Sequence, residues 1–183
     1  PEDAWSPRDA LAEYMADGEA PVYVGFGSMV GFDRKALLRE VVAAVDGRRA
    51  LFYPGWSGTE DLDLPANFHV LGDTPHAWLF PKVSAVIHHG GSGTSHSAAR
   101  AGVPSVVVPF AGDQWFWADR LQRAGVAAQA VSGHRLKASS VARGIEYAGQ
   151  AQVVSRARQL GEHMRAENGL VVAVKTLEAI MAA

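Results

Sequence analysis

Short apolar runs alternate with segments of helical periodicity along the first 130 residues. The runs are rich in valine and aromatic side chains, and proline, glycine or polar residues bound most of them. They predict six strands, at residues 22–26, 50–53, 68–71, 85–88, 105–108 and, more weakly, 126–131.

Apolar residues that recur every three or four positions predict helices between these strands. One helix is predicted over 33–45, with Asp33 as its N-cap, and others over 94–101 and 114–123. The last third of the chain, 138–182, is almost all helix by pattern, with a break near Asn168 and Gly169. Strands that alternate with helices predict an α/β fold: a doubly wound, mostly parallel, six-stranded Rossmann-like sheet in a single domain over residues 1–183.

Composition and charge exclude several classes of protein. The 183 residues carry a net charge of −2, unlike the basic footprint of a nucleic-acid-binding domain, so no nucleic-acid partner is expected. Without cysteine there is no disulfide framework or thiolate zinc site. No apolar run approaches the ~18 residues of a membrane span, and no signal pattern is present, so a cytoplasmic location is expected. The chain begins with Pro1 rather than methionine, which suggests a piece of a longer protein.

The loop after the fourth strand carries the strongest candidate site. It reads His-His-Gly-Gly-Ser-Gly-Thr over residues 88–94 and leads into a predicted helix. Glycines allow a ligand to approach the backbone, and a helix N-terminus offers free amides and partial positive charge, which suits a diphosphate. The same residues could form a glycine-rich turn with a serine or threonine cap that binds no ligand. The two adjacent histidines favour a ligand-binding site instead. Adjacent residues on a strand point to opposite faces, so a shared metal is not expected, and His88 is predicted to pack in the core.

A second candidate site follows the fifth strand, where Asp113 and Gln114 precede a helix. A carboxylate and an amide can accept from and donate to neighbouring hydroxyls, as sugar recognition requires. The alternative role of Asp113 is to cap the helix.

The sequence motifs of other protein classes are absent or incomplete in this chain. No phosphate-binding loop ending in Gly-Lys-Ser/Thr occurs, and the Rossmann-like segment 25–31 has Val30 where the third glycine belongs. Segments 55–59 and 90–94 imitate a nucleophile elbow but end in threonine. A small hydrolase that uses Ser57 or Ser92 therefore stays a minor alternative.

The ordered motifs resemble the donor-site signature of inverting glycosyltransferases of the GT-B fold, the family 1 UDP-glycosyltransferases. They are residues 89–94, 101–104, Pro109 and the pair 113–114. Segments 75–81 and 112–120 are most similar to sterol and polyketide glucosyltransferases. The resemblance implies that the chain is the C-terminal, donor-binding half of a GT-B enzyme, whose N-terminal acceptor domain is absent from this chain.

The resemblance also implies a role for each matching residue. The diphosphate of a UDP- or dTDP-sugar would bind to His89, Gly91, Ser92, Gly93 and Thr94, with Gly27 and Ser28 approaching from the opposite loop. Asp113 and Gln114 would hold the sugar. The base and ribose would contact Thr74, Pro75, His76 and Trp56. No metal or other cofactor is expected, and the catalytic base would lie in the missing domain, so no catalytic residue is assigned here.

Two positions depart from the plant members of that family. Asp73 stands where those members stack a tryptophan on the base, and Ser97 stands where they place a ribose-binding glutamate. The choice between UDP and dTDP therefore stays open. The expected reaction transfers a hexose, glucose by the sterol-enzyme likeness, to a hydroxyl of a lipophilic acceptor such as a sterol or polyketide. A nucleotide-sugar epimerase half and a non-catalytic nucleotide-sugar-binding module remain the alternatives.

Overall fold

A parallel sheet forms the centre of the molecule. The computed structural model describes residues 5–27, 33–55 and 64–182. Within them five strands lie in the order β3-β2-β1-β4-β5, and every neighbouring pair is parallel. The strands are β1 (Val22–Gly25), β2 (Ala50–Tyr53), β3 (Phe68–Val70), β4 (Ala85–His88) and β5 (Ser105–Val107).

Eight α-helices are described around the sheet. They are α1 (Asp9–Ala16), α2 (Arg34–Val45), α3 (His76–Leu79), α4 (Ser92–Ala101), α5 (Gln114–Arg123), α6 (Ala138–Ala148), α7 (Ala151–Ala166) and α8 (Gly169–Met181). Asp33 caps α2 as predicted, since its carboxylate accepts from the amide of Ala36 at 2.9 Å. The predicted break before α8 is present, and Asn168 caps that helix. Helix α1 has no counterpart among the predicted elements.

The predicted sixth strand is wrong. Segment 126–131 forms one isolated bridge to the sheet, between Ala127 and Ser105, and contacts β5 again where the amide of Val131 donates to the carbonyl of Val107 at 3.2 Å. Val126 and Ala127 are buried, whereas Gln129 is exposed. Because residues 128–130 between these two contacts form no ladder with β5, the segment is not a sixth strand.

Both faces of the sheet are covered, as the continuous apolar strands predict. Val22 and Val24 of β1 point into the core on the side of α2 and α6. Tyr23 points to the other face, where it joins a cluster that includes residues of α3 and α4. The chain therefore has the doubly wound architecture predicted from its sequence, with the carboxyl ends of all five strands at one edge.

None of the helices in the described ranges is both long and apolar enough to cross a bilayer.

Candidate functional site

The loops after β1 and β4 meet at the carboxyl edge of the sheet, around the imidazole of His89. Gly25 of β1 pairs with His88 of β4, so the turn at Gly27 lies next to His89. A methyl group built on Gly27 would lie 3.0 Å from Cε1 of His89, and one on Gly91 would overlap Nε2. The imidazole is thus held between two glycines, and both positions need glycine because a side chain would displace the ring. Gly27 also has a φ of +60°, which other residues rarely adopt.

His89 carries a nitrogen that no neighbour satisfies. Its Nδ1 is buried and makes no hydrogen bond within the described part of the chain. Burial lowers the pKa of His89, and the nearby Asp113 carboxylate acts in the opposite direction as the smaller cause. The ring is therefore mainly neutral near pH 7, and an anion bound beside it would favour its protonated form.

The N-terminus of α4 faces solvent beside His89. Helix α4 begins at Ser92 after the cap residue Gly91, which offers no side-chain cap, and the amide of Ser95 makes the first helical hydrogen bond, to the carbonyl of Gly91. Ser92 and Gly93 are exposed and Thr94 is half-buried. The amides before Ser95 have no partner inside the helix and carry its partial positive charge, so this turn can accept a phosphate group.

The neighbouring residues Asp113 and Gln114 occupy different environments. Gln114 is buried, and its Oε1 accepts hydrogen bonds from the amides of Phe110 at 2.7 Å and Ala111 at 3.2 Å. Asp113 is exposed, and its Oδ2 accepts from Nε1 of Trp117 at 3.0 Å. Its side chain does not cap α5. Gln114 thus holds the loop before α5 in place, whereas the Asp113 carboxylate is exposed near His89.

A cavity of about 410 Å³ lies at the same edge of the sheet, beside β1 and β2. Three residues predicted to bind the base and ribose are in its wall, namely Thr74, Pro75 and His76. The hydroxyl of Thr74 donates to the carbonyl of Gly72 at 3.1 Å. The imidazole of His76 stacks on Phe80, with ring centroids 4.2 Å apart.

Sequence reasoning missed three aromatic residues of this cavity, which are Trp5, Tyr23 and Tyr53. The position of Tyr53 at the end of a predicted strand could have indicated it. Its hydroxyl donates to Oδ1 of Asp73 at 3.3 Å, and burial followed by the Asp73 charge raises the pKa of Tyr53. Trp5 is 68 positions before Asp73, and no local pattern connects it with the cavity.

Two predicted site residues, Ser28 and Trp56, lie outside the described residues. The ring of Trp78 in α3 packs 4.9 Å from that of Trp5 and lies under the ammonium of Lys82. His88 is fully buried, as predicted.

Among the described residues no group of three or more His, Asp or Glu side chains is placed to hold a metal ion. The hydroxyl of Ser92 makes no hydrogen bond to a described histidine, and Ser57 lies outside the described ranges.

Comparison with known proteins identifies the family. Residues 35–180 match the family described as "Erythromycin biosynthesis protein CIII-like, C-terminal domain". The chain belongs to this family. The resemblance to the C-terminal half of family 1 glycosyltransferases, inferred from residues 89–94 and 113–114, is thereby confirmed.

Several relatives of the chain are named sterol 3-beta-glucosyltransferases. The chain is 36% identical to a sterol 3-beta-glucosyltransferase of Komagataella phaffii, over 96% of this chain and 15% of that protein. It is 34% identical to one of Arabidopsis thaliana, over 93% of this chain and 28% of that protein. The chain therefore spans less than a third of either relative.

Solved structures of glycosyltransferases share the fold. The calicheamicin glycosyltransferase CalG4 superposes with a TM-score of 0.77 at 22% identity, over 97% of this chain and 44% of that one. At this identity the likeness shows the fold alone, which is that of the C-terminal domain of GT-B glycosyltransferases.

Proposed function

We propose that this chain is the nucleotide-sugar-binding domain of an inverting glycosyltransferase and that residues 1–183 form one domain of that enzyme. The donor is a UDP- or dTDP-hexose, with glucose the first candidate because the relatives named above are glucosyltransferases. Its diphosphate binds at His89, at Gly91, Ser92, Gly93 and Thr94, and at Gly27 and Ser28.

One observation carries this proposal. The imidazole of His89 is held between Gly27 and Gly91 at the first turn of α4, and its buried Nδ1 has no partner in the described ranges. A neutral imidazole, free helix amides and exposed hydroxyls together form a site for a dianion that needs no lysine. Charge-assisted hydrogen bonds of this kind contribute about 1.5–3 kcal/mol each.

The rest of the donor would extend to either side of the diphosphate. The sugar hydroxyls lie at the exposed carboxylate of Asp113, with Gln114 shaping the loop and contributing to the same subsite. The base and ribose occupy the cavity at Thr74, Pro75 and His76, with Trp56 as a further contact. Asp73, at the position of the stacking tryptophan of plant members, lies in the same wall.

The reaction follows from where charge develops. Direct displacement at the anomeric carbon releases a nucleoside diphosphate, and its developing charge would be stabilised by His89 and the preorganised amides of α4. This stabilisation requires no metal ion or other cofactor. The base that deprotonates the acceptor hydroxyl lies outside this chain, as does most of the acceptor site, and the acceptor is a lipophilic molecule such as a sterol or polyketide. We also propose a cytoplasmic location for the protein.

Calorimetry with UDP, UDP-glucose and dTDP tests the donor site. His89→Ala is expected to weaken the binding of all three by about tenfold or more, the loss of one charge-assisted hydrogen bond. His163→Ala, on the exposed side of α7, is the matched control and should have no effect. His134 is less suitable as a control because its Nε2 lies 3.2 Å from the carbonyl of Phe110. If none of the three nucleotides binds to the wild-type chain, the proposed donor site is wrong.

An assay of sugar transfer tests whether the chain is a complete enzyme by itself. The purified chain should bind donor but transfer no sugar from UDP-glucose to a sterol or polyketide. Turnover by the chain alone would mean that a catalytic base lies within these 183 residues.

A further inference from the structure

The side chain of His88 is fully buried at the end of β4, where it accepts one hydrogen bond. The amide of Gly90 donates to its Nδ1 at a distance of 3.1 Å. Because Nδ1 accepts, the neutral ring carries its proton on Nε2. That Nε2 is buried and has no partner in the described part of the chain.

The imidazole of His88 remains an acceptor over the whole range of working pH. Burial, and after it the neighbouring His89 and His76, lower the pKa of His88 to about 3. A protonated imidazole has two donors and no acceptor, so the hydrogen bond from Gly90 depends on this neutrality.

Gly90 is fixed from its other side by packing. Its φ is +90°, and a methyl group built on it would lie 2.9 Å from both the carbonyl oxygen of Gln114 and Cγ1 of Val107. The chain then passes directly to Gly91 and to the first turn of α4. The orientation of the Gly90 peptide therefore determines where the amides of the proposed diphosphate site point.

The sheet itself does not need the His88 imidazole. The backbone of His88 is already held by pairing with Gly25 and by the amide of Val108, which donates to its carbonyl at 2.8 Å. An unpaired buried donor such as Nε2–H costs about 1–3 kcal/mol, which an apolar side chain would avoid. The contribution that an apolar residue could not make is the hydrogen bond to Gly90.

We propose that His88 is a positioning residue for the diphosphate site. By holding the Gly90 amide it orients the amides at the start of α4 and keeps Gly91 against His89. This role rests on the proposed function, because the site it positions is the proposed donor site.

Two nearly isosteric variants separate this role from a packing role. His88→Asn places an amide oxygen close to the position of Nδ1, so it keeps an acceptor for Gly90. His88→Leu has the same branching without an acceptor. His88→Leu should weaken UDP binding by about tenfold, the value of one lost hydrogen bond, while binding of uridine, which lacks phosphate, changes little. His88→Asn should restore UDP affinity to within about threefold of the wild type.

Two results would overturn the proposal. Equal UDP affinity in the wild type and in folded His88→Leu would show that the hydrogen bond does not position the site. Equal losses for UDP and uridine in both variants would show a general packing role.

Amide exchange of the wild-type chain by NMR gives a second measurement that does not depend on whether a variant folds. The Gly90 amide should exchange slowly, as a donor to a buried nitrogen, and its signal should shift when UDP is added. Exchange as fast as that of the exposed Gly93 amide, or a Gly90 signal that saturating UDP leaves unmoved, would contradict the role. If the wild type binds none of UDP, UDP-glucose and dTDP, the proposed function is wrong. Slow exchange at Gly90 would then show that the hydrogen bond exists but positions no donor site.

Discussion

Gly91 lies directly against the imidazole of His89, so closely that a methyl group on Gly91 would overlap Nε2. The two residues are separated by Gly90, whose φ of +90° is one that residues other than glycine rarely adopt. The glycine at position 91 is therefore a steric requirement of the histidine, and the loop and the ring form one unit.

Gly91→Ala is expected to displace the ring of His89 and weaken UDP binding about tenfold, since the displaced imidazole loses its contact with the diphosphate. Calorimetry with UDP measures the change. Gly169→Ala is the matched control, because a methyl group at that first position of α8 meets no atom within 4 Å. Unchanged UDP affinity in Gly91→Ala would show that the position of the ring does not matter for binding.

Donor binding should be coupled to uptake of a proton by His89. Burial lowers the pKa of the free group below 6.5, and a bound diphosphate favours the charged form and raises that pKa again. At a pH between the pKa of His89 in the free chain and its pKa in the complex, the complex holds more protons than the free chain. UDP-glucose affinity should therefore rise as the pH falls from 8 to 6. Calorimetry at pH 6.5 in buffers of different ionisation enthalpy measures the uptake. The uptake should vanish in His89→Ala, and uptake that persists there would assign it to another group.

Asp113→Asn should separate the sugar subsite from the diphosphate subsite. The substitution keeps an oxygen to accept from Trp117 but removes the charge at the proposed sugar hydroxyls. UDP-glucose affinity is expected to fall about tenfold, whereas UDP affinity should not fall, because a negative charge near the diphosphate is removed. Asp119→Asn is the control, since this exposed carboxylate pairs with Arg120 and Arg123 on the surface of α5. A parallel loss for both ligands in Asp113→Asn would contradict a sugar-specific role.

The stability of the domain should depend little on the apolar side chains of α8. Leu177 is 60% exposed, whereas Leu79 is 1% exposed within the core. Leu177→Gln is expected to change the free energy of unfolding by less than about 0.5 kcal/mol, and Leu79→Ala should lower it by about 2–5 kcal/mol. Urea unfolding of both variants measures the difference. A loss in Leu177→Gln as large as that in Leu79→Ala would mean that α8 is packed in solution.

The sequence by itself determined the strands and the order in which loops follow them. Continuous apolar runs such as 85–88 and 105–108 indicate burial on both faces, and burial on both faces requires a parallel sheet covered by helices. The candidate loops could be predicted because the carboxyl ends of parallel strands share one edge of the sheet. The weak run 126–131 misled the prediction, since residues 128–130 form no ladder with β5.

Only the tertiary structure decided which contacts each of these residues makes. His88 and His89 are adjacent in sequence, yet one is locked to Gly90 inside the core and the other stands between two glycines at the site. Asp113 and Gln114 separate in the same way, one exposed and one buried under its own loop. Other contacts of the site join segments far apart in the chain, since Gly27 lies against His89 and Trp5 lines the same cavity as Asp73. Local patterns of residue type carry no information about which distant segment covers which side chain.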